Sequence, residues 1–188
     1  MEKSLTFIRI PKNASTSVYE HIKPLNTIRD EVLPYRREHF NIFAPSHCRL
    51  SEAVEVLGKD ILDKVVFAVS RNPLDRMVSQ YHFAQKENWI PIKFKGFANF
   101  VDFCADNETI ASHSQSYYLD VSTKINIIRF ENLQYDFRNL LYSNGILVNP
   151  VLPKLNSTKR DHYKSYYTPA LEEKVRELWK EDFKRFNY

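Results

Sequence analysis

Lys12, Ser15, Thr16 and Ser17 place one cation and three hydroxyls in the short run KNASTS. Such a set binds an anion and stabilises charge that builds on an oxygen. A second set follows in SRNPLDRMVSQY, where Arg71 and Ser79 offer a guanidinium and a hydroxyl suited to phosphate. Histidine is the side chain whose ordinary pKa suits proton transfer near neutrality, and His47, His39 and His113 are the candidate bases.

These residues need elements to hold them. Thr6 to Ile10 is β-branched and apolar, which predicts a buried strand over Leu5 to Ile10. Pro11 has no N–H for a ladder and ends it. A helix from about Thr16 to Ile22 then starts where backbone N–H groups lack intrahelical partners. Amides, the positive end of the helix dipole, hydroxyls and Lys12 converge there, with Asn13 and Ala14 completing the loop. The loop is not a Walker A motif, which requires two glycines and a lysine next to Ser or Thr. Here no glycine is present and Lys12 precedes the hydroxyls. The bland alternative is an ordinary strand-to-helix turn carrying a surface lysine.

Lys64 to Arg71, KVVFAVSR, reads as a second buried strand. Asn72 suits an N-cap and Pro73 a first helical position. Leu74, Met77, Val78, Tyr81 and Ala84 recur at helical spacing. Arg71 therefore sits at the carboxyl end of a strand, where α/β sheets bind ligands, and Ser79 lies two turns into the helix. Two phosphate-type sites on neighbouring strands suit a nucleotide with anionic groups at both ends.

IPKNASTS resembles the phosphosulfate-binding loop of the sulfotransferases that use 3′-phosphoadenosine 5′-phosphosulfate (PAPS), and SRNPLDRMVSQY resembles their 3′-phosphate motif. The likeness is to the carbohydrate branch, especially the heparan sulfate 2-O-sulfotransferase type, whose loop also reads Pro-Lys-x-Ala-Ser-Thr-Ser. It extends weakly through IIRFENL and the tail DFKRFNY. The resemblance implies a P-loop-like phosphosulfate loop and a catalytic histidine between the two motifs, which favours His47 over His39 and His113. It also implies a loop closing over the cofactor near Lys154 to Lys164, which makes Ser157, Lys159 and Arg160 cofactor contacts, with Tyr163, Tyr166 and Tyr167 in support.

A chain of 188 residues is expected to form one domain over 1–188 and can bury about 70% of its unfolded surface. Hydrophobic content of 43% and charged content of 27% are those of a globular protein. Only three glycines are present, so the tight turns of a glycine-rich nucleotide loop look mostly unavailable. A net charge of +4 suits anionic ligands without pointing to nucleic acid. Two cysteines are too few for a disulfide framework. No metal-ligand spacing is present, and no metal is expected. The opening MEKS lacks a signal-peptide pattern and no apolar run is long enough to span a bilayer. The secretory location of the resembled enzymes is thus not carried over, and a cytoplasmic one is expected.

Asn26 to Tyr35 is irregular, and Glu38 to Ala44 reads as a short strand that would hold His39. Ser51 is expected to cap a helix over Glu52 to Gly58. Gln85 to Phe97, with Trp89, Lys93, Phe94, Lys95 and Phe97, suits an acceptor-binding flap, or equally a solvated loop with its aromatics tucked under. Phe97 to Cys104 reads as a helix, and the hydroxyl-rich Ser112 to Tyr118 suits a cleft lining. A strand over Lys124 to Phe130 and a helix over Glu131 to Tyr142 precede Gly145. From Thr168-Pro169 one helix is expected to the end, with Leu171, Val175, Leu178, Trp179, Phe183 and Phe186 as its packing face.

The alternation of strands and helices gives the α/β class, a three-layer sandwich with a central, mainly parallel sheet. The reading is of an enzyme moving a sulfuryl group from PAPS to a hydroxyl, on a carbohydrate by resemblance, leaving adenosine 3′,5′-bisphosphate (PAP). An atypical P-loop-like kinase would need Mg²⁺ carboxylates at the strand ends, which carry Arg or Ser instead. A non-catalytic nucleotide- or polysaccharide-binding module is the other alternative. The acceptor and the oligomeric state are not legible.

Overall fold

The computed structural model describes residues 5–22, 47–86, 94–146, 151–152 and 160–188. The expected strand Glu38–Ala44 with His39, the stretch Asn26–Tyr35, Trp89 and Lys93, and Ser157 and Lys159 lie outside the described residues. The chain groups into two compact units: Met1–Ser70 with Tyr117–Asn156, and Arg71–Ser116 with Ser157–Tyr188.

The first unit holds the expected parallel sheet. Its order is β1 (Leu5–Ile8), β2 (Val65–Ser70) and β3 (Asn126–Arg129), with β2 central and both pairings parallel. Phe7 lies opposite Phe67, and Ser70 opposite Arg129. Each strand is short, and β1 is buried at every position, as a strand covered on both faces must be. On one face Phe7 stacks on Phe67 with centroids 4.6 Å apart. Val18, Tyr19 and Ile22 of α1 (Ser15–Ile22) complete that core, with Phe137, Leu140 and Leu141 of the helix Leu133–Ser143. Burying each such side chain contributes about 1.5–3 kcal/mol. On the opposite face the Thr6 hydroxyl donates to the Ile61 carbonyl, 2.9 Å away, in the 3₁₀ turn Lys59–Leu62.

Helix α2 (Leu50–Leu57) starts earlier than expected. Glu52, not Ser51, serves its first turn, accepting the Arg49 N–H at 2.7 Å. Ser51 is instead committed to Asp120, donating its backbone N–H at 2.9 Å and its hydroxyl at 2.5 Å. The helix Leu133–Ser143 ends at Gly145, whose φ of 73° only glycine takes without strain. There the Ile146 N–H reaches the Leu141 carbonyl and the Gly145 N–H the Tyr142 carbonyl, the paired closure of a Schellman motif.

The second unit is helical: α3 (Pro73–Lys86), α4 (Phe97–Asp106) and, after Leu133–Ser143 (α5) of the first unit, α6 (Pro169–Leu178) and α7 (Lys180–Phe186). Asn72 caps α3, its Oδ1 accepting the Leu74 N–H at 3.0 Å, and Thr168 caps α6. The core joins Met77, Val78, Phe100, Val101, Val175 and Trp179. Phe94 and Phe97 of the expected flap pack here, Phe94 edge-on to Phe100 at 5.1 Å and Phe97 against Tyr166 and Tyr167.

The expected single C-terminal helix breaks at Trp179, which leaves helical geometry at φ −120°, ψ 32°. Three hydrogen bonds hold the chain on either side of the break. The Trp179 indole donates to the Ser112 carbonyl at 2.6 Å, and Asp182 accepts the N–H groups of Gln115 and Ser116 at 2.6 and 2.7 Å. Ser112, Gln115 and Ser116 are therefore tied to the C-terminal helices. Among the described residues no helix is long and apolar enough to cross a membrane.

Candidate functional site

The loop from Pro11 to Ala14 joins β1 to α1. Lys12 has φ 66° and Ala14 φ 54°, left-handed conformations that cost a residue bearing a Cβ about 1–2 kcal/mol each. The tight turn that the lack of glycine seemed to preclude is thus made by Lys12 and Ala14. Left-handed residues followed by ones of ordinary hand turn successive backbone N–H groups inward, an anion-binding concavity. The first i→i−4 bond of α1 runs from the Val18 N–H to the Ala14 carbonyl at 3.1 Å. The amides ahead of that bond belong to the helix start, where backbone N–H groups lack i→i−4 partners.

The strain persists because the loop is anchored. Asn13 is fully buried, and its Nδ2 donates to the Val69 carbonyl of β2 at 2.6 Å. That side chain serves β2. Ser15 and Ser17 are buried, whereas Lys12, Ala14 and Thr16 are half-buried. Arg9, 6% exposed, adds a cation just before the loop, with its guanidinium 5.2 Å from the Tyr19 ring centroid. A buried arginine at a strand end carries no periodic signal, so the sequence does not mark it.

His47 stands beside this loop. Its Nδ1 lies 2.7 Å from the Arg9 carbonyl, two residues before Pro11. A carbonyl only accepts, so Nδ1 carries the proton and the neutral ring's lone pair is on Nε2. That is the tautomer a base requires. His113 is in the second unit, where its carbonyl accepts from the fully buried Arg76 at 2.9 Å and its Nε2 lies 3.7 Å from Glu108.

In the second unit the candidate residues gather at Arg71, directly after β2. Its backbone belongs to neither strand nor helix, and Gln115 supplies what they do not. Gln115 Oε1 accepts the Arg71 N–H at 2.8 Å, and Gln115 Nε2 donates to the Arg71 carbonyl at 2.9 Å. Both polarities are forced, so the orientation of the amide is fixed. Gln115 and Asp182 are fully buried, and no local sequence signal marks them as the residues that hold Arg71. The Arg71 side chain is 9% exposed; its Nε and Nη2 both lie 2.8 Å from Asp75 Oδ2. Arg160 Nη2 bonds the other oxygen of Asp75. Ser79 lies one turn beyond Asp75 on the same face of α3 and is half-buried. Asp75 thus brings Arg71 and Arg160 together.

Tyr166 and Tyr167 back this group. Tyr167 donates to the Leu74 carbonyl at 2.9 Å; burial first, and then the charge of Asp75, raises its pKa. The Tyr166 hydroxyl lies 2.8 Å from His82 Nε2. Burial and then the charge of Arg160 hold the pKa of His82 below the ordinary histidine value. Among the described residues no three His, Cys, Asp or Glu side chains gather as a metal-binding group.

Comparison with known proteins follows the same lines. A model of the sulfotransferase family matches residues 1–188. Among solved structures, mouse sulfotransferase SULT7A1 complexed with PAP matches with a TM-score of 0.63 at 18% sequence identity, over 97% of this chain and 85% of that one. A sequence search of curated proteins finds no match.

Proposed function

Because the chain belongs to the sulfotransferase family, we propose that it transfers a sulfuryl group from PAPS to a hydroxyl of a carbohydrate, releasing PAP. The observation that carries this reading is the Lys12–Ser17 loop, turned by two strained residues and flanked by a histidine in the tautomer of a base. The complex of the mouse enzyme with PAP supports the choice of nucleotide.

The donor supplies a sulfuryl group activated by attachment to phosphate. Lys12, Thr16 and the amides of Asn13 to Ser17 receive the phosphosulfate end, with the Ser15 and Ser17 hydroxyls alongside. Arg71, Ser79 and Arg160 receive the 3′-phosphate, with Ser157 and Lys159 as further contacts. His47 Nε2 takes the proton of the acceptor hydroxyl as its oxygen bonds to sulfur. Lys12 and the loop amides hold the charge left on the phosphate oxygen when its bond to sulfur breaks. Alignment and charge stabilisation carry most of such a transfer, as in phosphoryl transfer.

The test is to incubate the purified chain with PAPS and a panel of glycans and to follow PAP release. Calorimetry should show PAP bound much more tightly than AMP, which lacks the 3′-phosphate. No turnover with any glycan would remove the carbohydrate acceptor, and equal affinity for PAP and AMP would remove the nucleotide assignment.

A further inference from the structure

We propose that Asp75 is the positioning residue of the 3′-phosphate subsite, and that its carboxylate gathers Arg71 and Arg160 into one preformed fork. The inference rests on the nucleotide reading above and names a residue that reading does not use. The two oxygens of Asp75 are divided between the arginines. Oδ2 takes Nε and Nη2 of Arg71, each at 2.8 Å, and Oδ1 takes Nη2 of Arg160. All three side chains are largely withdrawn from water, at 9%, 16% and 14% exposure. Two guanidiniums against one carboxylate leave a net positive charge, which a phosphate complements.

The arginines come from distant parts of the chain, since Arg160 lies 85 residues beyond Asp75. Arg160 precedes the 3₁₀ turn Tyr163–Tyr166 and α6, so its backbone is part of neither. A long side chain left unheld must be ordered when the ligand arrives, and a fork held beforehand avoids that cost. The rest of the second unit supports the same geometry. Gln115 brackets the Arg71 backbone, and Tyr167 ties to the Leu74 carbonyl one residue before Asp75. Asp75 also lies in the first turn of α3, where an acidic residue stabilises the helix whatever its neighbours. That helical role affects folding and leaves nucleotide preference alone.

The two accounts predict opposite signs. By charge alone, removing a carboxylate from beside a phosphate should strengthen binding. If Asp75 positions the fork, removing it should weaken binding. Calorimetry with PAP and with AMP on the wild-type chain and on Asp75→Asn separates them. Asp75→Asn should lose about ten-fold or more in PAP affinity, the scale of one charge-assisted hydrogen bond, while AMP affinity changes little. Asp75→Glu keeps the charge and should recover part of the PAP preference. If Asp75→Asn does not fold, Asp75→Glu alone decides: a reduced PAP-to-AMP ratio is expected, and an unchanged ratio overturns the proposal. A wild-type preference for PAP that Asp75→Asn retains or increases overturns the positioning role while the nucleotide reading stands. A wild-type chain that binds the two nucleotides equally overturns both.

Discussion

At the residue scale, the loop separates binding from chemistry. Lys12 is half-buried and held at φ 66°, so its ammonium starts from a fixed backbone. Its proposed work peaks as charge builds on the leaving oxygen, so Lys12→Ala should lower turnover at saturating PAPS more than it lowers PAP affinity. Unchanged turnover would remove the leaving-group role. His47→Asn should keep a hydrogen bond to the Arg9 carbonyl, since an amide NH₂ also donates, but it has no nitrogen lone pair to take a proton. It should lose about 10²–10⁴-fold in turnover with PAP affinity near wild type. In the wild type, activity should fall as pH drops and the ring becomes protonated; in His47→Asn that acid limb should be absent. His113→Ala is the control. A dead His113→Ala beside an active His47→Asn would transfer the base role to His113.

At the element scale, the C-terminal helices act as a brace for the segment that holds Arg71. Asp182 is fully buried and accepts two backbone N–H groups, from Gln115 and Ser116, and Gln115 brackets Arg71. Asp182→Ala should strand both N–H groups, at about 1–3 kcal/mol each. Urea unfolding should show a lowered midpoint; a midpoint equal to wild type would mean that the pair is not worth its burial. Helix α3 carries a pH-dependent contribution of its own. His82, whose pKa is lowered first by burial and then by Arg160, binds its proton less readily folded than unfolded. Its stabilising contribution is present above the ordinary histidine value and is lost as pH falls below it towards the folded value. His82→Gln should flatten the fall in melting temperature between neutrality and mild acid. An identical slope in wild type and variant would exclude this group as the cause.

At the scale of the whole molecule, a ligand that binds only the native chain stabilises it by mass action. PAP at a hundred times its dissociation constant should contribute about 2.7 kcal/mol. For a chain of this length that is a rise in melting temperature of roughly 5–10 °C. AMP at the same concentration should give a much smaller rise, and equal shifts would argue against recognition of the 3′-phosphate. Because the chain has a net charge of +4, part of the affinity is long-range attraction, and PAP binding should weaken as salt rises.

The sequence by itself located the two anion motifs and the elements that hold them, because those signals act over a few residues. Pro11 ends a ladder, Asn72 and Thr168 cap the helices that follow them, and Gly145 closes α5. Local chemistry also marked the start of a helix at about Thr16, one residue after its observed start at Ser15. It did not reveal that Lys12 and Ala14 would take left-handed conformations without glycine, because the anchor that sustains them, Asn13 on Val69, spans 56 residues. Tertiary structure alone fixed the tautomer of His47 through the Arg9 carbonyl, 38 residues away. It also decided that Gln115 would bracket Arg71 across 44 residues, that Asp182 would reach back 67, and that Arg160 would meet Asp75 across 85. Such pairs leave no periodic trace. Their partners meet only once the chain has folded, and burial then makes each unpaired donor or acceptor too costly to leave without its match.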